Sequence, residues 1–230
     1  HLLPYLKYRA VGKPVVMTAI YGATHWSFTQ KIKEALLKAG DCPDQPTLNA
    51  LAKLIYKASR KVFPAAFETL DWLTKLGEHA HKQGADCLRW NTPTGDTVHL
   101  VAYGCDTTKV QTAFNGTVSF GQWNTGKPDK REQLKSFTPS FVHSYDAAVL
   151  KESFTDWNAP LSVIHDCVLV LPSDMDKALD RLREGFVSVT SGDPLAALAE
   201  DLGVAAAKLE RLDQGEQSLD SVYQSKYMFN

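Results

Sequence analysis

Near residue 84 the apolar pattern changes period, and that change restricts the chain to a mixed α and β fold. Leu48, Leu51, Leu54, Ile55, Ala58 and Val62 recur every three to four residues with Lys53, Lys57 and Arg60 between them, the period of a helix with one buried face. Residues 28–39 are helical by composition, and the cluster Asp41-Cys-Pro43-Asp-Gln-Pro46 interrupts them as a loop. A further helix is predicted from about Pro64 to His81, with proline tolerable in its first turn. From Asp86 to Trp123 the character is different. There β-formers flank a Pro/Gly turn in Leu88-Arg-Trp90-Asn-Thr-Pro-Thr-Gly95-Asp96-Thr-Val98-His-Leu100, which reads as a hairpin, with more strand around Val110 to Phe120.

The rest of the chain repeats the mixture. A polar, proline-containing stretch from Asn124 to Lys135 is predicted to be an exposed loop, and a helix is expected from about Ser144 to Trp157. Leu161-Ser-Val-Ile-His165-Asp166-Cys-Val-Leu-Val-Leu171 is an apolar strand pair broken by one polar dipeptide. Ser173 is placed to cap a helix from Asp174 to Val189, and Asp193-Pro194 with Gly203 brackets another. The expected fold class is α+β, in three parts: a helical part over 1–83, a β-rich middle over 84–142, and a last part over 143–230 built on a strand hairpin with flanking helices.

Composition narrows the function classes. With 230 residues and 44% apolar content the chain can bury a core. A net charge of −1, from 25 basic and 26 acidic side chains, is not the footprint of a free-standing nucleic-acid binder, so any such contact must be local or shared. Cys42, Cys87, Cys105 and Cys167 form no C-x-x-C pair, which disfavours a zinc site or a disulfide framework and reads as reduced thiols in an intracellular protein. No apolar run approaches the roughly 20 residues of a membrane span, and no signal-peptide layout opens the chain, so it reads as soluble.

Three segments carry candidate chemistry. In Arg9-Ala-Val-Gly-Lys13-Pro-Val-Val-Met17-Thr18-Ala-Ile-Tyr21-Gly22, two cations stand one helical turn apart, with Tyr21 two turns beyond Lys13 on nearly the same side. Such a face can hold a triphosphate while the ring meets a sugar; the alternative is a solvated helix face with a core tyrosine. Pro14 predicts either a separate turn at Arg9 or a helix that starts near Lys13. His165-Asp166 sits between apolar strands, where a carboxylate is costly to desolvate unless it meets a cation, so Asp166 is a candidate Mg²⁺ ligand or else a turn aspartate satisfied by backbone N–H groups. In Phe141-Val-His143-Ser144-Tyr145-Asp146, His143 lies on the approach to a helix that Ser144 can cap and is a candidate site residue, although a histidine taken alone is more often structural.

Taken in order, these segments resemble the phage and mitochondrial single-subunit RNA polymerases. The resemblance rests on Arg-x3-Lys-x3-Met-Thr-x2-Tyr-Gly, then Phe-Val-His-Ser-x-Asp, then Ile-His-Asp, and it extends through Ala52-Lys-Leu-Ile-Tyr56, Trp90-x-Thr-Pro-x-Gly95 and the terminal Tyr227-Met-Phe-Asn230. It implies a fingers-and-palm fragment of a right-hand polymerase that performs DNA-directed RNA synthesis from nucleoside triphosphates on a DNA template with Mg²⁺. Arg9 and Lys13 would contact the triphosphate, Tyr21 would select the ribose, Gly22 would permit close approach, His143 would line the ribose or the primer–template groove, and His165 would position the 3′ end. Asp166 would be one of two metal-binding carboxylates.

The resemblance also implies what is missing. The family's other metal-binding carboxylate would precede His1, so a second polypeptide or an upstream segment is expected to supply it, and the chain reads as the C-terminal piece of something larger. The implied location is the host cytoplasm for a phage enzyme, ahead of a mitochondrion. Trp26 stands where relatives often have phenylalanine, with a larger surface for stacking. Two other readings stand beside this one. A-family DNA polymerases share the layout, but Met17-Thr18 and Cys167 depart from their usual residues. A non-catalytic nucleic-acid-binding or assembly subunit would have no need of Arg9, Lys13, Tyr21 and Asp166 together.

Overall fold

A computed structural model describes the chain except His1, Ile20, Gly22, Thr24, Phe114, Asn115, Asp166, residues 206–211, Asp213, Gln214, Tyr227, Phe229 and Asn230, and the side chains of residues 122–125. The fold is mixed: helices with three separate two-stranded antiparallel sheets among the described residues. It divides into two compact units, His1–Lys75 and Leu76–Asn230. No helix among the described residues is long and apolar enough to cross a membrane.

The first unit holds α1 (Leu3–Leu6), α2 (Arg9–Ala19), α3 (His25–Lys38), α4 (Gln45–Val62) and the first turns of α5 (Pro64–Lys82). Its core joins Val11, Val15 and Ala19 of α2, Phe28, Ile32 and Leu36 of α3, Leu48, Leu51, Ala52 and Ile55 of α4, and Phe67 and Leu70 of α5. Each set has helical spacing, so burial of one face per helix drives the packing. The loop forecast for 41–46 is shorter than expected, because Asp44 accepts a hydrogen bond from the Thr47 N–H at 3.1 Å and starts α4 at Gln45.

In the second unit, β1 (Leu88–Asn91) and β2 (Thr97–Leu100) form the hairpin expected from the Pro/Gly turn, with Gly95 at φ 81°. Trp90 of β1 is fully buried against the rings of Phe137 and Phe141 on α6 (Lys130–Phe154), and its indole N–H donates to Ser144 Oγ at 3.0 Å. Lys151 of α6 pairs with Asp96 at 2.7 Å, tying the hairpin turn to the helix. The chain then runs into a long ribbon of β3 (Tyr103–Thr112) and β4 (Gly116–Pro128), which among the described residues pair only with each other.

Here the sequence expectation needs correction. Residues 124–128 continue β4 rather than opening a loop, and Asp129 caps α6 by accepting from the Glu132 N–H at 3.0 Å, so the helix begins fourteen residues before Ser144. The ribbon pairs regularly from Cys105 with Trp123 to Thr112 with Gly116, and after an irregularity Tyr103 pairs with Pro128, so cross-strand partners that polar composition does not reveal bracket this stretch. Beyond α6, β5 (Leu161–Ile164) pairs with β6 (Cys167–Val170), followed by α7 (Met175–Thr190), α8 (Pro194–Asp201) and α9 (Ser221–Gln224). Asp193 caps α8 as its sequence suggests, accepting from Ala196 N–H at 3.0 Å. Ser173 does not cap α7; it lies inside a short 3₁₀ turn, Pro172–Asp174.

Candidate functional site

The cation-bearing helix is continuous. α2 runs from Arg9 to Ala19 with Pro14 inside it, so neither a separate turn at Arg9 nor a start at Lys13 describes it. Val11, Val15 and Ala19 are buried in the core at four-residue intervals, and their burial holds the helix together across the donor that proline lacks. Thr18 Oγ donates to the Pro14 carbonyl at 2.6 Å, a further local fastening. Arg9 and Lys13 are both exposed, one turn apart and directed away from that buried stripe, and among the described residues no ion pair engages either.

Met17 extends the same exposed face by one more turn, at 52% exposure. The sequence reading leaves it without a role, although its spacing of four from Lys13 is the signal that would have placed it. Tyr21 stands past the end of α2 in a turn, half-buried, with its N–H donating to the Thr18 carbonyl at 3.2 Å. Its direction is therefore set by that turn and not by helical periodicity. Gly22 lies outside the described residues. Trp26, on the first turn of α3, is 72% exposed, so its ring is open for stacking. An apolar cleft of about 290 Å³ between α1, α2 and α4 is lined by Gly12 and Val16 of α2, which adjoin Arg9 and Lys13 at three-residue spacing.

In the second unit His143 lies in the middle of α6, not on the approach to a helix. Ser144 is likewise no cap: its hydroxyl donates to the Phe141 carbonyl at 2.7 Å while accepting from Trp90. Tyr145 beside them is half-buried, and burial pushes its phenol up, with the Asp201 and Asp193 carboxylates adding to the effect. Its ring lies 4.8 Å from that of Phe141.

His165 directly follows β5 where the chain turns back toward β6, and its φ of 56° is left-handed, a conformation typical of tight hairpin turns. Asp166 itself lies outside the described residues. The flanks do not match the sequence picture of a buried apolar pair: Val163 is 44% and Ile164 56% exposed, while Val168 and Val170 of the partner strand pack onto Phe154, Ala178 and Leu182. A two-stranded sheet has one supported face here, so Val163 and Ile164 are open to solvent although apolar. Carboxylates suit Mg²⁺, but among the described residues no three His, Cys, Asp or Glu side chains cluster as a metal site. None of the four cysteines forms a disulfide.

An exposed cation pair on a packed helix and a hairpin that turns at His165 are thus carried on one mixed α and β chain. Residues 6–228 match the family described as DNA-dependent RNA polymerase, and the chain belongs to that family. It is 27% identical over 96% of its length to DNA-directed RNA polymerase 2, chloroplastic/mitochondrial, of Arabidopsis thaliana, and 28% identical over 84% to the mitochondrial DNA-directed RNA polymerase of Homo sapiens. It is also 26% identical over 96% to the DNA-directed RNA polymerase of Pseudomonas phage phiKMV. The chain spans only 23%, 16% and 28% of the length of those three proteins.

Proposed function

We propose that this chain contributes the fingers and part of the palm to a single-subunit polymerase that carries out DNA-directed RNA synthesis. The observation that carries the reading is the exposed Arg9–Lys13 face of α2, standing in a chain whose family match runs nearly end to end. Two fixed cations one turn apart neutralise the charge of a triphosphate as its α-phosphoryl group is transferred and pyrophosphate leaves. Tyr21, at the end of the same helix, meets the sugar and discriminates the 2′-hydroxyl, and Gly22 lets the nucleotide approach. His143 and His165 hold the ribose and the 3′ end.

Asp166 is the right kind of ligand for Mg²⁺, which supplies charge neutralisation at the reacting oxygens when bound. One carboxylate does not hold a pair of ions, so a second must come from a further segment or polypeptide. Template DNA, RNA product and nucleoside triphosphates are the corresponding ligands, and the site of action is the host cytoplasm for a phage enzyme or the organelle for a mitochondrial one. The supporting evidence for synthesis over a binding-only role is the retention of Arg9, Lys13, Tyr21 and Asp166 in one chain.

The test is Asp166→Asn in the polymerase assembled with its complementing segment. The amide keeps the size of the side chain and loses the metal-binding charge, so nucleotide addition should fall at least about 100-fold with unchanged thermal stability. Substantial residual synthesis would falsify the catalytic assignment.

A further inference from the structure

The net charge of −1 conceals a strong division. Residues 1–75 carry eleven Lys and Arg against five Asp and Glu, a net of +6, whereas residues 76–230 carry fourteen against twenty-one, a net of −7. Within the first unit the excess is concentrated on α4, which holds Lys53, Lys57, Arg60 and Lys61 and no carboxylate. Arg60 is committed: it pairs with Asp71, which holds its guanidinium above the usual range, and it lies over the Phe67 ring at 5.1 Å.

The three lysines are not committed in that way. They recur at four-residue intervals, are all exposed, and stand opposite the buried face formed by Leu48, Leu51, Ala52, Ile55 and Ser59. Among the described residues none of the three has an ion pair. Like charges at this spacing repel, so the row weakens the isolated helix unless an anion meets it. Lys61 gains from the helix C-terminus, but Lys53 and Lys57 are too far from either end to do so.

We propose that this face of α4 docks against the phosphate backbone of duplex DNA, as a contact separate from the Arg9–Lys13 face. The row spans about 12 Å in a straight line, along which one strand of a duplex presents a phosphate about every 3.4 Å. No aromatic side chain stands between the lysines; their neighbours are Leu54, Ala58 and Val62, and Tyr56 is turned inward against Phe28 and Phe67. Phe63, the nearest exposed ring, caps the helix beyond the last lysine. Single-strand sites use stacking platforms, so a row of charge without rings fits paired DNA whose phosphates face outward. The choice of DNA as the polyanion rests on the proposed function; the charged face does not.

Binding of the full chain to a fluorescein-labelled duplex of about two helical turns, followed by anisotropy without Mg²⁺ or nucleotides, separates this proposal from catalysis. Lys53→Gln/Lys57→Gln/Lys61→Gln should reduce the slope of log affinity against log salt by about 2.7, so that wild type loses about 40-fold more affinity than the variant between about 50 and 200 mM salt. Arginine at the same three positions should restore the slope. Lys31→Gln/Lys33→Gln/Lys38→Gln, an equal loss of charge on α3, should change it less. An unchanged slope in the α4 variant with native circular dichroism, an equal change in the α3 variant, or tighter binding of the single strand than of the duplex would each overturn the proposal.

Discussion

Pro14 shows how far a single residue's rule reaches. A proline inside a helix costs about 3 kcal/mol in isolation, yet α2 continues through it because Val11, Val15 and Ala19 are buried on the same stripe and their burial outweighs the lost hydrogen bond. Under the proposed function, Tyr21→Phe should keep the rate of ribonucleotide addition and relax discrimination against deoxynucleotides by about tenfold or more, read as a ratio of kcat/KM values; unchanged discrimination would mean that the hydroxyl is not the selector. Asp96 offers a test of stability. It accepts from Lys151 at 2.7 Å and from Thr94 Oγ at 2.9 Å, and these partners, the lysine first, hold its carboxyl below the usual range. A depressed carboxyl stabilises the fold above its unfolded value and loses that contribution as pH falls through the folded one. Asp96→Asn should therefore lower Tm at neutral pH, with the difference from wild type shrinking as pH falls below the ordinary aspartate value of about 4, as followed by thermal melts across pH.

Among elements, helix identities were legible from period and caps, and helix limits were not. Leu48 to Val62 announce α4 by spacing, and Asp193-Pro194 announces α8 by its cap; both form as expected. α6 is the counterexample. Its first half, 130–143, is polar on most sides and contains Pro139, so no single stripe marks it; it is helical because Phe137 and Phe141 pack on Trp90, a residue forty-seven positions before the first of them. α7 meets α6 at Gly185, where an added Cβ would collide with Ser153 Oγ and come within 3.1 Å of the Ser153 amide and the Val149 carbonyl. Gly185→Ala should cost about 1–3 kcal/mol despite alanine's better helix propensity, and Ser153→Ala should recover part of it, as measured by denaturant melts. Equal stability of the single variant and wild type would show that the helices separate at no cost.

For the whole molecule, the β3–β4 ribbon stands apart energetically. None of the described residues from Tyr103 to Pro128 is fully buried, and the Asp129 N–H donates to the Ala102 carbonyl at 2.8 Å, closing its base. Replacing residues 104–127 by a short glycine turn should shift Tm by less than about 4 °C, since little core is lost; a larger drop would mean that the ribbon supports the second unit. The amino-acid sequence by itself determined the mixed helical and hairpin character, the Asp193 cap of α8 and the family, since these depend on local spacing and on residue types in order. Only the tertiary structure decided that α2 survives Pro14, that Ser144 anchors Trp90 instead of capping a helix, and that the strands around His165 are open to solvent. Each of those depends on which distant side chains share a core, and burial between residues far apart in the chain leaves no periodic trace in the sequence.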